Sequence, residues 1–328
     1  VLVIDDNERN SASKIASGLI NPVTGRRVVT TWMADELLPF AWKEYSVFGK
    51  ELNIQCIQQK NILAFPSAPD LFQAFEKRKQ QGNSYIYESP LTKEDLSVYF
   101  NFPFDVLQIA PCYLVDVHTL TEAWRNHLEN DNLLLNEKFS ENELILSERS
   151  VQYKNITAEK IIYCNGISSS VSKFWKQLPF VPNKGQALIA KIDYLSGEYI
   201  YKFGHLSLIP WQNNLWWIGS SNELNFVDEK PSDDFYQSTI VSLKKILKNT
   251  FKIEEHLSSI RPAAVERRPF AGVHPIYNQV AILNGMGSKG CSLAPWFAKE
   301  LTDHLINNKT INALADVKRY ANVLKREL

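Results

Sequence analysis

Apolar residues along the chain fall into helix-spaced and strand-spaced stretches that take turns. Val1 to Ile4 is an apolar run halted by Asp5-Asp6, and reads as a short buried strand. After a polar segment at 7–14, Trp32, Leu37, Leu38, Ala41, Trp42, Tyr45 and Phe48 keep the spacing of one helix face, predicting a helix over 30–52. Further helices are predicted over 70–80, with Ser67 or Asp70 as cap, and over 115–131, with Asp116 as cap. Strand-like pieces follow at 133–146, 151–153 and 160–164, the last ending in Asn165-Gly166. Between 184 and 221 the pattern changes. Short strands at 186–192, 199–203, 206–210 and 215–218 are separated by turn residues, with Asn213-Asn214 as a hairpin tip, so an antiparallel meander is predicted. A helix at 232–249, strand and loop over 259–284, and a helix at 294–307 complete the pattern. Parallel-type pieces flanking an antiparallel insert predict an α/β chain, α+β in its wider sense, with two discontinuous domains.

Composition narrows the classes. The chain has 328 residues, 45% of them hydrophobic, enough for a sizeable core and too many for a disordered chain. Thirty-six basic residues balance thirty-six acidic ones, so no net charge draws the chain to nucleic acid or anionic lipid. No apolar run approaches the ~20 residues of a membrane-spanning helix, and Asp5-Asp6 argues against a signal peptide. Cys56, Cys112, Cys164 and Cys291 lie far apart, giving neither a metal-ligand spacing nor a disulfide framework; each is expected to be a small buried hydrophobe in a reducing cytoplasm.

Four stretches carry candidate chemistry. Asp5 ends a strand, as does the acid that binds ribose hydroxyls in dinucleotide folds, although many strands end this way. Ser11 to Pro22 is rich in small and hydroxyl residues, suited to close approach by an anion or flat ring, or to a helix start capped by Ser11 or Ser13. Arg261 precedes Pro262 and is therefore held extended, where its fork can take a carboxylate; a surface arginine beside a turn is the plainer reading. Gly285-Met-Gly-Ser-Lys-Gly290 runs from a strand into an apolar helix and presents backbone donors at a helix N-terminus. It has no phosphate-loop spacing, because Gly290 follows Lys289. His205 and His274 are the two histidines of interest, and Trp211, Trp216 and Trp217 suit sheet packing better than a cavity wall.

Taken in order, these stretches resemble the DAO-type FAD-dependent oxidoreductases, the family of D-amino-acid, glycine and sarcosine oxidases. The resemblance rests on Asp5, Ala16-Ser-Gly-Leu-Ile-Asn-Pro22, Ile161-Ile-Tyr-Cys-Asn-Gly166, Lys184-Gly-Gln186 and Trp217-Ile-Gly-Ser-Ser221. Its most specific parts are Arg261-Pro with Glu266, Pro269 and Gly272, and Gly285 to Gly290 with Leu293-Ala-Pro295. It implies a GR2-type, Rossmann-like FAD domain over 1–55, 113–183 and 256–328, and an inserted antiparallel-sheet substrate domain over 56–112 and 184–255. It also implies roles. Asp5 would meet the ribose, Ser13, Ser17, Gly18 and Leu19 the pyrophosphate and flavin, Val151 the adenine, and Gly166 the turn beside the cofactor. Gly285, Met286, Gly287, Ser288, Lys289 and Gly290 would follow the ribityl chain and pyrimidine edge, and Arg261 would pair with a substrate carboxylate. No metal is implied.

The implied reaction is oxidation of the C–N bond of an amine or amino acid by hydride transfer to flavin N5, hydrolysis of the imine, and return of electrons to dioxygen as hydrogen peroxide. Departures bear on the substrate. No glycine-rich loop precedes Asp5, which leads us to expect a record that begins inside the family's fold. Ser207 stands three residues before Pro210, where several amino-acid-oxidising relatives have tyrosine, and Ser288 stands where a second basic residue is found. The stretch from Gly285 to Pro295 is also similar to the oxidoreductase module that acts on carboxymethylaminomethyl-uridine in tRNA, which would add a nucleic-acid partner. A non-catalytic flavin-fold protein is the third alternative.

Overall fold

The computed structural model describes residues 1–326. Its contacts divide the chain into two compact units: residues 1–14, 120–183 and 260–328 in one, and 15–119 and 184–259 in the other. The sequence-based division differs at 15–55, 113–119 and 256–259. For the first two the reason is a three-stranded sheet in which Tyr113–Val115 lies between Leu19–Ile20 and Ile57–Gln59, tying these segments into the second unit.

The first unit contains three small sheets. Val3–Ile4 runs parallel to Leu134–Leu135, with Val3 beside Leu134. Leu144–Leu146, Val151–Tyr153 and Ile156–Ala158 form an antiparallel sheet. Ile161–Tyr163 runs parallel to Val280–Asn284, which pairs antiparallel on its other side with Phe270–Val273. Strands predicted as continuous over 133–146 are two short ones separated by a tight turn at Glu141–Glu143. The core includes Tyr163, Phe174, Trp175, Phe270, Val280 and Ile282. Phe270–Val273 and Val280–Asn284, buried on both sides, read in sequence as apolar runs rather than alternations. Helix Gly290–Asn307 begins four residues before the predicted start. Pro295 lies inside it, although a proline lacks the N–H a helix interior uses and more often marks a first turn.

The second unit is built on an eight-stranded sheet. Its order is Lys252–Ala264, Phe180–Lys191, Leu215–Gly219, Leu206–Pro210, Ile200–Phe203, Ile62–Phe65, Leu107–Ile109 and Ile86–Glu88, where the first two strands continue into residues of the first unit. The predicted meander is present, antiparallel from Ile200 to Gly219, but Ile200–Phe203 is parallel to Ile62–Phe65, so the sheet is mixed. One face carries a dense core of Leu63, Phe65, Phe100, Tyr201, Phe203, Leu208 and Trp216. Phe65 stacks on Phe203 with ring centroids 4.2 Å apart. Trp216 and Trp217 are core residues, their indoles donating to the Ile192 and Ile15 carbonyls at 3.2 and 3.0 Å. Helix Ala34–Glu51 sits inside the predicted span. Helix Pro69–Gln80 takes no side-chain cap from Ser67 or Asp70; Pro69, whose missing N–H costs nothing in a first turn, starts it. Asp116 does cap as predicted, accepting Thr119 N and Oγ1 at 3.0 and 2.7 Å. Among the described residues, no helix is long and apolar enough to cross a membrane.

His274 is a core residue, 1% exposed, against Trp175 and Tyr277. Its Nδ1 accepts Ile276 N and Tyr277 N at 3.2 and 3.3 Å, closing the turn after Phe270–Val273. Burial pushes its pKa down to about 4. Below the ordinary histidine pKa of about 6.5 the unfolded chain binds a proton that the folded chain refuses. Stability is therefore full above about pH 6.5 and falls toward pH 4, by up to about 3 kcal/mol. Urea unfolding at pH 7.5 and 4.5 checks this, and His274→Gln is expected to remove this share of the pH dependence. His205, by contrast, is exposed in the turn after Ile200–Phe203. Cys56 and Cys112 are buried as expected, whereas Cys164 is exposed at a strand end and Cys291 only partly covered.

Candidate active site

In the first unit, the parallel strands Ile161–Tyr163 and Val280–Asn284 end side by side, so their following turns meet. Asn284, 5% exposed, joins them. Its Nδ2 donates to the Gly166 carbonyl at 2.8 Å and to Ser169 Oγ at 2.9 Å, while its Oδ1 accepts Gly285 N at 2.8 Å. Ser169 in turn donates to Asn165 Oδ1 at 2.5 Å. Gly285 leaves the strand with φ +75°, and a side chain there would strike Phe270 Cδ2 at 2.6 Å, so the turn packs directly on that ring. Beside Gly166 and Gly290 the position of a side chain is open space. Asn284→Leu removes all three bonds from a buried site. The variant is expected to lose about 2–4 kcal/mol and to release bound flavin more readily, as read by urea unfolding and by flavin fluorescence after gel filtration.

The turn then reaches the arginine strand. Met286 forms an antiparallel bridge with Ala263, and a side chain at Gly287 would lie 3.3 Å from Ala263 Cβ. Arg261 is two residues before Ala263 on strand Lys252–Ala264, hence on the same face and about 7 Å along. Its Nη1 donates to Asn183 Oδ1 at 2.8 Å. Asn183 is 5% exposed and its amide is neutral, so this contact aims the guanidinium without cancelling its charge. Lys289, at the start of helix Gly290–Asn307, has its pKa dropped to about 8 by burial alone. Ser288 beside it is exposed. The cluster thus offers an arginine, a lysine and the first N–H groups of an 18-residue helix.

The other expected residues stand on other elements. Asp5 follows Val3–Ile4; its Oδ1 accepts Arg125 Nη1 at 2.7 Å and Asn7 N at 2.9 Å, and the side chain stays 55% exposed. Val151 is buried in the middle strand of its sheet, beside Leu146 and Ala158. Ser13 is exposed on the one-turn helix Ala12–Ile15. Ser17, Gly18 and Leu19 belong to the second unit. There Gly18 has φ +77°, a Cβ on it would sit 1.8 Å from the Val115 carbonyl oxygen, and its own carbonyl accepts Val115 N at 3.0 Å. That close approach by itself requires a glycine here. Ser17 Oγ accepts Leu19 N at 3.4 Å.

Asn284 and Asn183 carried no role in the sequence reading. Asn284 stood in plain view between an apolar strand and a glycine turn. Asn183 is 78 residues from Arg261 and gave no signal.

A profile of FAD dependent oxidoreductases matches residues 1–304. The chain belongs to the FAD dependent oxidoreductase family. Over 164 residues it is 24% identical to glycine oxidase of Bacillus subtilis (strain 168), a match that covers 48% of this chain and 44% of that protein. The chain therefore spans less than half the length of the curated relatives it matches. Its fold is similar to that of iminodiacetate oxidase from Chelativorans sp. BNC1, with a TM-score of 0.79 at 15% identity, covering 98% of this chain and 92% of the other. Glycine oxidase from Geobacillus kaustophilus gives 0.77 at 15% identity, covering 100% and 92%. FAD is the family's cofactor, and the first unit's donors fit it. Open space beside Gly166 and Gly290 leaves room for a flat ring, and Lys289 with the helix N-terminus suits an electron-rich pyrimidine edge. The half-exposed Asp5 carboxylate, steadied by Arg125, suits a ribose diol.

Proposed function

We propose that this family member oxidises the C–N bond of a small amine or amino acid that carries a carboxylate, with dioxygen as the electron acceptor. The observation that supports it is the bridge from Ala263 to Met286, which sets the Arg261 strand beside the glycine turn. Arg261 binds the substrate carboxylate, and Asn183 fixes the plane of its guanidinium. Bound FAD supplies the two-electron acceptor for the hydride that leaves the carbon next to nitrogen. The first N–H groups of helix Gly290–Asn307 and the Lys289 ammonium stabilise negative charge gathering at that edge. An amine that enters neutral needs no protein base, and water hydrolyses the resulting imine. A uridine bearing a carboxymethylaminomethyl arm presents the same amine and carboxylate, so the reading covers it as well.

Anaerobic mixing of the FAD-loaded protein with glycine, sarcosine, proline, D-amino acids and the modified nucleoside tests the proposal. Their decarboxylated counterparts, such as pyrrolidine for proline, serve as controls. The visible flavin band is expected to bleach with carboxylated amines only. Equal bleaching by pyrrolidine and proline would remove the carboxylate from the reading.

A further inference from the structure

The core face of the large sheet in the second unit carries an open recess that the proposed oxidation does not use. Its volume is about 360 Å³, within the range of small-molecule sites. Three tyrosines line it: Tyr99 after the short helix Lys93–Ser97, Tyr199 before strand Ile200–Phe203, and Tyr201 on that strand. Buried Leu96 adds to its apolar lining. Two of the rings are fixed by their neighbours. Tyr201 is 3% exposed, packs against Phe100 with centroids 4.9 Å apart, and donates its hydroxyl to the Ser196 carbonyl at 2.9 Å. Tyr99 stacks on Tyr194, with centroids 6.1 Å apart and planes at 14°. The charged residues of the lining are both acids, Asp95 and Glu198. Asp95 Oδ2 accepts Thr92 Oγ1 and N at 2.8 and 3.0 Å, which holds its carboxyl below the ordinary aspartate pKa and keeps it ionised. The Glu198 carboxylate has no ion-pair partner among the described residues. Lys60 and Lys248 come close, but each ammonium donates to a backbone carbonyl, of Gly197 at 2.7 Å and of Ser97, and neither lines the recess.

An aromatic ring carries negative potential on its face, so tyrosines beside two carboxylates favour a cation with an apolar coat. We infer that this recess is a binding site for a small alkylammonium ion, its alkyl groups against the Tyr99, Tyr199 and Tyr201 rings and its charge answered by Asp95 and Glu198. A bare metal ion calls for several converging ligands. Among the described residues, no group of three or more His, Cys, Asp and Glu could hold one. An organic acid would meet two like charges, and an uncharged molecule would gain the rings without the carboxylates. The residues of the recess all belong to the second unit, whereas Arg261 belongs to the first. The inference therefore goes beyond the proposed oxidation and does not rest on it.

Isothermal titration of the full FAD-loaded chain with tetramethylammonium chloride tests it, at ionic strength held constant with sodium chloride. tert-Butanol, similar in shape but uncharged, is the second probe. Tetramethylammonium is expected to bind at least about ten-fold more tightly than tert-butanol. Tyr199→Leu weakens it at least about ten-fold, while Tyr199→Phe, which keeps the ring, leaves the affinity within about two-fold. Glu198→Gln, at an exposed position where the fold does not depend on the charge, weakens it about three-fold or more. An unlowered melting temperature of each variant verifies its fold. No binding of tetramethylammonium, equal affinity for the two probes, or an affinity untouched by both Tyr199→Leu and Glu198→Gln overturns the inference.

Discussion

Arg261→Met is expected to lower kcat/KM for carboxylated amines by about 10²–10³-fold, because truncating one partner of a buried charge pair costs 2–5 kcal/mol. The flavin content should stay close to that of the wild type, since the Asn284 latch is made by Gly166, Ser169 and Gly285. Decarboxylated amines have no group for the guanidinium, so the gap between proline and pyrrolidine closes in the variant. Arg261→Lys restores charge but not the two-pronged geometry, and recovers only part of the loss. Stopped-flow measurement of flavin reduction across the substrate pairs reads all of these. A loss shared equally by proline and pyrrolidine would make Arg261 a structural residue.

Gly18→Ala is expected to destabilise the second unit by at least about 4 kcal/mol, enough to prevent folding in a marginally stable protein. A methyl group there would lie 1.8 Å from the Val115 carbonyl oxygen, which is backbone of a paired strand and cannot swing aside. The left-handed φ of +77° adds strain for any residue with a side chain. Relief would require Leu19–Ile20 to part from Tyr113–Val115, and with it the bond from Val115 N to Gly18 O. Thermal unfolding and the yield of soluble protein are the readouts. Gly82→Ala is the control: this glycine has a similar φ of +75° but open space around it, and the substitution is expected to cost far less.

Gly18 also shows where a sequence stops being legible. A small residue among serines reads equally as a cradle for a ligand or as a close approach of two strands. Val115, the strand residue it meets, lies far along the chain. The same holds for the strands at Ile57–Gln59, Ile62–Phe65 and Leu107–Ile109, which are too short to show a period and whose pairing is non-local. In contrast, the meander at 200–219 and the helices at 34–51, 117–130 and 233–246 were legible, because turn residues set off the meander's short apolar strands and the helices' apolar residues keep the spacing of one face. At the candidate site, Arg261 and the 285–290 turn were marked by residue types with few other uses together. Their meeting through Ala263 and Met286 was not, since a single bridge between distant segments leaves no local trace.

We propose that the Arg261 guanidinium holds a carboxylate beside the flavin edge. Its most direct test is spectral titration of the FAD-loaded protein with methylthioacetate, which has the carboxylate but no oxidisable amine. A saturable shift of the visible flavin band is expected in the wild type and is expected to disappear in Arg261→Met. An identical shift and affinity in the two proteins would contradict it.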